Sequence, residues 1–564
     1  MDSRFAIIDY VVFIAYGIVI VGVGLWVSRT RKDHERDAQD YFLAGKALPW
    51  WAIGASLIAA NISAEQMIGM SGSGFAIGLG IAAYEWMGAA TLIIVGKYFL
   101  PIFLKKEIYT MPQFLALRYD NRVRTTMATF WLLVYVFVNL TSVLYLGALA
   151  LNTIMGIPLL YGIIGLALFA AIYSIYGGLT AVAWTDVIQV IVLIGGGLIT
   201  TVIALNTISG GEGIIAGFTE LLSSASEKFD MILQKGKVML DVIEDGVMVK
   251  KDAYLDLPGI GVLIGGMWVA NISYWGFNQY IIQRGLAAKS IKEAQHGVIF
   301  AGYLKLLIPL IVVIPGIVAY LLVQQEAGGA NPLGDYSFTN SMMDFNEDIG
   351  REIIRNDRAY PALLAFIPTG IKGLAFAALA AAIVSSLASM LNSTSTIFTM
   401  DIYKQFIDKK ISKTKMVTVG RITCFVVLII AILTAKPLLG NLDQAFQYIQ
   451  EFTGFVTPGV CIIFLAGLFW KRATSNSALC VAILTIPLSA AFKFFTPGIP
   501  FLDRMGYVAL LLALVCVVIS ILETKEKHPK AIKLPKGIFS TDTAFYVGAI
   551  GICAILAVLY IIFW

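Results

Sequence analysis

Charge is scarce in this sequence of 564 residues: Lys, Arg, Asp and Glu together make up 14%, against about 25% in soluble globular domains. That deficit excludes an ordinary water-facing surface, and the composition also excludes a disordered chain or a collagen-like fibre. Histidine and cysteine are scarcer still, with three and five copies. Cys424, Cys461, Cys480, Cys516 and Cys553 all lie in apolar runs of the last third, and none forms a CxxC or Cys/His spacing. Zinc, haem and iron–sulfur sites and a disulfide scaffold are therefore not expected, and the thiols read as small buried hydrophobes. A net charge of +5 is spread too thinly to make nucleic acid a partner. What is abundant is apolar: 58% of the residues are hydrophobic. This is the composition of a chain that crosses a bilayer many times.

A helix needs about 20 mostly apolar residues to span the hydrocarbon core. Fourteen such runs occur, over 8–28, 47–71, 77–104, 122–154, 158–176, 183–207, 258–282, 294–324, 371–400, 416–437, 442–470, 476–495, 504–522 and 541–563. The first is too long for a signal-peptide h-region. Asp2 opposes Arg4 before it, and Arg29-Thr30-Arg31-Lys32 follows where a cleavage site would have small residues. Most of the 41 basic residues fall in the loops after spans 1, 3, 7, 9, 11 and 13. Those loops are then cytoplasmic, and an even number of spans leaves both termini outside the cell membrane. The long outside segments 208–257 and 325–370 carry mixed charge and read as extramembrane caps.

Two spans share a tetrapeptide: Ala60-Asn61-Ile62-Ser63 in the second and Ala270-Asn271-Ile272-Ser273 in the seventh. Each is an abrupt polar turn in an apolar helix, with Gly69, Gly72 and Gly74 after the first and Gly265, Gly266 and Gly276 around the second. A repeat five helices long starts its second copy from the opposite membrane face. The fold expected is thus an all-α membrane protein of 14 transmembrane helices. Spans 2–6 and 7–11 form a 5+5 inverted repeat whose first helices are broken, with a solute site between the halves. The chain then divides into an extra helix (8–28), a first repeat (47–207), a second repeat (258–470) and three further helices (476–563). Two unrelated glycine-rich packing helices are the plainer alternative.

Ionisable groups within spans need a reason, since each costs a few kcal/mol to insert. Glu65, Glu85, Asp186, Lys305 and Glu451 are such groups; Lys97 and Arg284 sit near span ends, where they are expected to snorkel. The alternative for each deep acid is a structural ion pair or a capped helix break. Amides accompany them: Asn61, Gln66, Asn271, Gln447 and Gln450. A polyhydroxylated solute stripped of water needs fixed donors and acceptors of this kind, and an apolar solute needs none. Tyr84, Tyr274 and Phe446 are placed to cover a sugar's apolar face, or simply to pack. Span 9 carries Ser385-Ser386 and a further hydroxyl-rich stretch to Thr396. With carbonyls freed in span 2 these hydroxyls could complete a site for a small alkali cation, though such faces also serve close helix packing.

The segment Gly177-Gly178-Leu179-Thr180-Ala181-Val182-Ala183-Trp184-Thr185-Asp186-Val187-Ile188-Gln189 resembles the signature of the sodium/solute symporter family. The stretches Ala59–Met70, Trp268–Arg284, Phe376–Asp401 and Gln444–Gly454 resemble the family's sugar carriers closely. The resemblance implies the leucine-transporter-like form of the inverted repeat, with a hexose at the membrane midplane. It implies polar sugar contacts from Asn61, Gln66, Glu85, Asn271, Lys305 and Gln450. Tyr274 becomes an inner-gate ring, and Met70, Tyr84 and Phe446 an outer hydrophobic gate. The sodium ligands implied are the carbonyls of Ala59, Ile62 and Ala382 with the hydroxyls of Ser385 and Ser386, and Asp186 lies on the path of sodium passage. One position departs: Gly88 stands where the family's sugar carriers have a serine touching the sugar.

The function expected is sodium-coupled uptake of a hexose by alternating access, with sodium as the co-transported ion. Myo-inositol, another polyol or an amino acid is the alternative solute, and a sugar sensor without transport the alternative role. No nucleophile–base pair, HExxH or metal cluster lies at depth, so an enzyme is not expected.

Overall fold

The computed structural model describes residues 5–27, 38–244, 247–330, 332–334, 336–346, 349–365, 367–439 and 445–564. Asp2, Arg4, the basic run Arg29-Thr30-Arg31-Lys32 and residues 442–444 of the eleventh apolar run lie outside these. The main helices are α1 (Ile7–Val27), α2 (Trp50–Asn61), α3 (Ser71–Ala76) and α4 (Ala83–Ile94). They continue with α5 (Asn121–Val134), α6 (Thr141–Met155), α7 (Leu159–Ile208), α8 (Gly266–Phe277) and α9 (Gln279–Leu286). After these come α10 (Ile291–Ala327), α11 (Ile371–Ile397), α12 (Lys413–Leu439) and α13 (Ala445–Thr453). Last are α14 (Thr457–Phe469), α15 (Ser475–Phe495), α16 (Phe501–Glu523) and α17 (Thr543–Ile562).

Among the described residues, ten helices are long and apolar enough to cross a membrane, or eleven when Ala253–Ile264 and Gly266–Phe277, bent by 77°, count as one. The second, fifth and eleventh apolar runs come out as shorter pieces, because breaks interrupt each of them. The run at 47–71 divides at Ile62, and the one at 442–470 divides between Thr453 and Thr457. The fifth is the first part of α7, which turns at Gly178 (φ 61°, ψ −156°). A side chain at Gly178 would be strained by that φ and would meet Tyr41, so the family-like Gly-Gly pair fits a bend.

Packing sorts the helices into core and periphery. α11 is rich in Ala and Ser and almost wholly buried, which lets it lie close against α7, α2 and α6. α10 packs along α2, α3 and α4, and its Gly316 lets the Ser71 backbone approach closer than any side chain would allow. The outer helices α1, α15, α16 and α17 turn large apolar side chains outward, including Ile7, Leu510, Leu514, Ile550 and Ile561. In water such faces would be a liability; against lipid they are the ordinary surface. Cys553 is among the exposed residues, so the expectation of five buried thiols is corrected there; it lies on α17, and a thiol is apolar enough to face lipid.

The two long caps contain structure that hydropathy does not reveal. β1 (Met239–Glu244) pairs antiparallel with β2 (Val247–Asp252), and β3 (Met343–Asn346) with β4 (Arg351–Ile354). The first cap is tied to the chain end by Met231 N–H donating to the Phe563 carbonyl at 2.8 Å.

Candidate functional site

Two backbone breaks shape the site. α2 stops at Asn61, and Ile62 turns extended (φ −80°, ψ 112°). Ser63 then starts the second half of the span. Glu65 N–H donates to Ser63 Oγ at 3.0 Å, while Ser63 N–H donates to Gln66 Oε1, also at 3.0 Å. This reciprocal pair is a capping box. It turns the Ser63 N–H away from the Ala59 carbonyl that a continuous helix would have engaged.

On the facing side α8 ends at Phe277, Asn278 is extended (φ −75°, ψ 124°), and α9 follows. The Tyr135 hydroxyl holds this elbow, donating to Asn278 Oδ1 and accepting Gln279 N–H at 3.0 Å. The repeated tetrapeptide therefore does not mark equivalent breaks. Ala270–Ser273 lies inside α8, and the chain breaks at Gly265 and Asn278 instead. The Gln279 N–H at this break finds its partner on a distant span, which no local pattern records.

Between the breaks lies a cavity. Its wall brings together Asn61, Gln66, Glu85, Asn271, Lys305 and Gln450, with Tyr84, Tyr274 and Phe446. Met70 is not on the wall, and its side chain is fully buried. The Tyr84 and Phe446 rings meet edge to face at 5.3 Å. The Tyr274 hydroxyl receives Asn61 Nδ2 at 2.9 Å and the Tyr280 hydroxyl at 2.7 Å.

The cavity's polar groups are partly committed. Lys305 pairs with Glu85, and its ammonium lies 4.9 Å from the centre of the Trp275 ring. Gln66 Oε1 accepts from both the N–H and the hydroxyl of Ser63, so only its NH₂ is left to donate. Asn271 Nδ2 donates to the Met267 carbonyl at 3.2 Å. Asn61 Oδ1 has no partner among the described residues and remains an acceptor. A Cβ at Gly88 would lie 2.9 Å from Trp275 Nε1 and 3.2 Å from Asn271 Oδ1, so the indole fills the space a side chain there would take.

The hydroxyl-rich α11 meets the broken span directly. Ser386 Oγ lies 3.1 Å from the Ala60 carbonyl and 3.2 Å from that of Ile62. Ser385 turns elsewhere, donating to Asp186 Oδ1 at 2.5 Å. Ala59 and Ala382 are buried on the same two helices. Asp186 also accepts from Ser56 Oγ at 2.5 Å and faces the Arg284 guanidinium at 3.5 Å. Arg284 is thus not a snorkelling residue. It is sealed from solvent and donates to Ser56, Ser389 and the Tyr280 carbonyl. The break at Asn278 bends the span, so Arg284 is carried inward rather than to a membrane edge.

Glu451, the remaining deep acid, pairs with Arg504 at 2.7 Å and Lys493 at 3.1 Å in a separate cleft, which is a structural ion-pair cluster. Lys97 reaches the Tyr546 hydroxyl at 3.3 Å near the surface, as its place at a span end leads one to expect. Residues not singled out from sequence include Ser56, Tyr135, Ser142, Trp275 and Tyr280. Ser63 stands out in sequence only within the repeated tetrapeptide, although its Ser-x-x-Gln spacing to Gln66 is a readable capping signal. Among the described residues, no group of three His, Cys, Asp or Glu is placed to hold a metal ion.

The chain is similar to known proteins along its length. The profile described as "Sodium:solute symporter family" matches residues 41–485. The chain is 54% identical to the sodium/glucose cotransporter of Vibrio parahaemolyticus, over 100% of this chain and 99% of that protein. It is 34% identical to the mouse sodium/myo-inositol cotransporter 2, over 85% of this chain and 69% of the relative. In fold it is similar to a substrate-bound, outward-open Na⁺-coupled sialic acid symporter, with a TM-score of 0.76 at 24% identity, covering 94% of this chain and 100% of the other.

Proposed function

Because the chain belongs to the sodium:solute symporter family, we propose that it carries a hexose of the galactose or glucose type into the cell by alternating access. It is a multi-pass membrane carrier and not an enzyme. One observation carries the choice of solute. The cavity gathers Asn61, Gln66, Asn271 and Gln450 around charges that are already paired, Glu85 with Lys305. A neutral polyhydroxylated solute can exchange hydrogen bonds with all of these without bringing a charge of its own. The full-length likeness to a protein named a sodium/glucose cotransporter supports the same solute class.

In this reading sodium binds where Ser386 meets the broken α2, between the carbonyls of Ala59, Ile62 and Ala382 and the hydroxyls of Ser385 and Ser386. Asp186 receives the ion on its way to the cytoplasm. Tyr274 stacks on the pyranose as inner gate, and Met70, Tyr84 and Phe446 close the outer side. The proposed architecture is a single polytopic domain of fourteen crossings, with inverted repeats at 47–207 and 258–470, flanking helices at 8–28 and 476–563, and both termini outside the cell. Breaks at Ile62 and at Gly265 and Asn278, in the first span of each proposed repeat, support it.

Sodium bound at the break fixes α2 against α11 and favours the state in which the sugar site is complete, so coupling is a difference in affinity between two states. One sodium falling through 100 mV releases about 2.3 kcal/mol, and a tenfold concentration ratio adds about 1.4 kcal/mol. Together they sustain a sugar ratio of roughly several hundredfold.

Uptake of labelled galactose and glucose into proteoliposomes, with sodium or potassium outside, tests the proposal. Uptake is expected only with sodium. Ser386→Ala should weaken its sodium dependence, and Gln450→Ala or Lys305→Ala should reduce it. Unchanged uptake by all three variants would discard the site. Likeness to relatives named myo-inositol cotransporters makes that polyol the second solute to offer, and stronger competition by myo-inositol than by either hexose would select it.

A further inference from the structure

Glu65 stands on the cavity wall as a buried carboxyl group with no cation beside it among the described residues. Glu85, Asp186, Asp401 and Glu451 each form an ion pair. Among the described residues Glu65 forms none, and the partner of its side chain is the Ser142 hydroxyl. An isolated buried charge is costly, so the group needs either a cation or a proton.

The hydrogens around Ser142 favour the proton. Ser142 Oγ is within hydrogen-bond reach of two oxygens, Glu65 Oε1 and the Asn139 carbonyl, the latter at 2.9 Å. A carbonyl only accepts, and a hydroxyl has a single hydrogen. With Glu65 ionised, that one hydrogen is divided between two acceptors; with Glu65 as the acid, each contact has a hydrogen of its own. The chain then runs from the carboxylic acid of Glu65 to Ser142 Oγ, and from the Ser142 hydroxyl to the Asn139 carbonyl. Oε2 of Glu65 has no partner among the described residues, and the side chain borders the solute space.

We propose that Glu65 is a proton-binding site of the solute cavity, held as the carboxylic acid, whose second oxygen accepts a hydroxyl group of the bound solute. The contact with the solute rests on the sugar reading above; the proton does not. Held neutral, Glu65 leaves the cavity with the balanced Glu85–Lys305 pair as its charges, which suits an uncharged polyol. The titratable groups facing it are the Tyr274 and Tyr280 phenols, with Tyr135 beyond them and the Glu85–Lys305 pair across the cavity. On the far turn of its own segment, Asp357 lies against Gly72.

Infrared spectroscopy of the full-length protein in lipid at neutral pH, without sugar, reads the proton. A protonated-carboxyl C=O band is expected in the wild type, lost in Glu65→Gln and moved to higher frequency in Ser142→Ala, which removes the hydrogen bond. Absence of the band, or its persistence in Glu65→Gln and constancy in Ser142→Ala, overturns the proposal. Adding galactose to protein shown to take it up should shift the same band. A band that ignores a transported sugar overturns the solute contact, and a protein that transports no sugar still answers the question of the proton.

Discussion

The guanidinium of Arg284 lies 3.5 Å from the Asp186 carboxylate, with both side chains closed off from solvent. Ser56 and Ser385 bind the same carboxylate, so α2, α7, α9 and α11 meet at one charge. Removing one partner of such a pair strands the other, at about 3–5 kcal/mol. Arg284→Gln is therefore expected to lower stability by roughly 3 kcal/mol, with partial recovery when Asp186→Asn is added. Thermal unfolding of the single and double variants in detergent measures this. Losses that simply add would show that the two groups do not depend on each other.

Ser63 and Gln66 hold the break in the second span open from both sides. Loss of an N-cap costs about 1 kcal/mol in stability, so Ser63→Ala should fold. Its larger effect should be on sodium, because the same cap keeps the Ala59 carbonyl out of the helical ladder. The sodium concentration for half-maximal uptake is expected to rise several-fold in Ser63→Ala, with little change in the unfolding temperature. An unaltered sodium dependence would separate the cap from the ion site.

Much of this protein was legible because lipid leaves so few places for polar groups. The scarcity of charge singled out Glu85 and Lys305, and both line the cavity. The gathering of six distant polar residues could be expected from a family likeness, since a shared fold brings the same positions together. What hydropathy missed are breaks whose partners lie elsewhere in the chain. Asn278 is extended because Tyr135, some 140 residues earlier in sequence, satisfies its elbow. Once that bend exists, Arg284 points inward, and a rule based on distance from the span end gives the wrong answer. The hairpins at 239–252 and 343–354 escaped for a different reason. They are short and mixed in charge, and carry no strong alternating pattern.

The first cap should respond to pH through Lys228. Its Nζ donates to the Ala76 carbonyl at 2.7 Å and lies 4.2 Å from the centre of the Tyr320 ring. Burial pushes its pKa down from 10.5 to about 8, partly opposed by Glu227. Between those values the unfolded chain holds a proton that the folded chain has released, so stability rises with pH across that window. Below it the buried ammonium weighs against folding; above it both states are neutral. Wild-type unfolding temperature is expected to rise relative to Lys228→Met as pH increases from about 8 towards 10.5. Parallel pH curves for the two proteins would remove Lys228 as the cause.

Gly88 and Trp275 should set how tightly the solute is held. A Cβ at position 88 would come within 2.9 Å of the indole nitrogen, so even alanine obliges the ring to move. The same ring supports the Lys305 ammonium at 4.9 Å, and its displacement loosens the Glu85–Lys305 pair in the cavity. Overpacking of this kind costs about 1–3 kcal/mol. If that cost falls on the bound state, half-saturation for the sugar rises by roughly fivefold to a hundredfold. Gly88→Ala and Gly88→Ser are both expected to weaken galactose and glucose uptake in this way, since the conflict arises at Cβ and not at a hydroxyl. Side-by-side half-saturation constants for the two variants test the argument. A serine variant that binds more tightly while the alanine variant binds more weakly would mean that the indole yields easily and the hydroxyl itself becomes a ligand contact. Position 88 would then act through hydrogen bonding rather than through the space it leaves for Trp275.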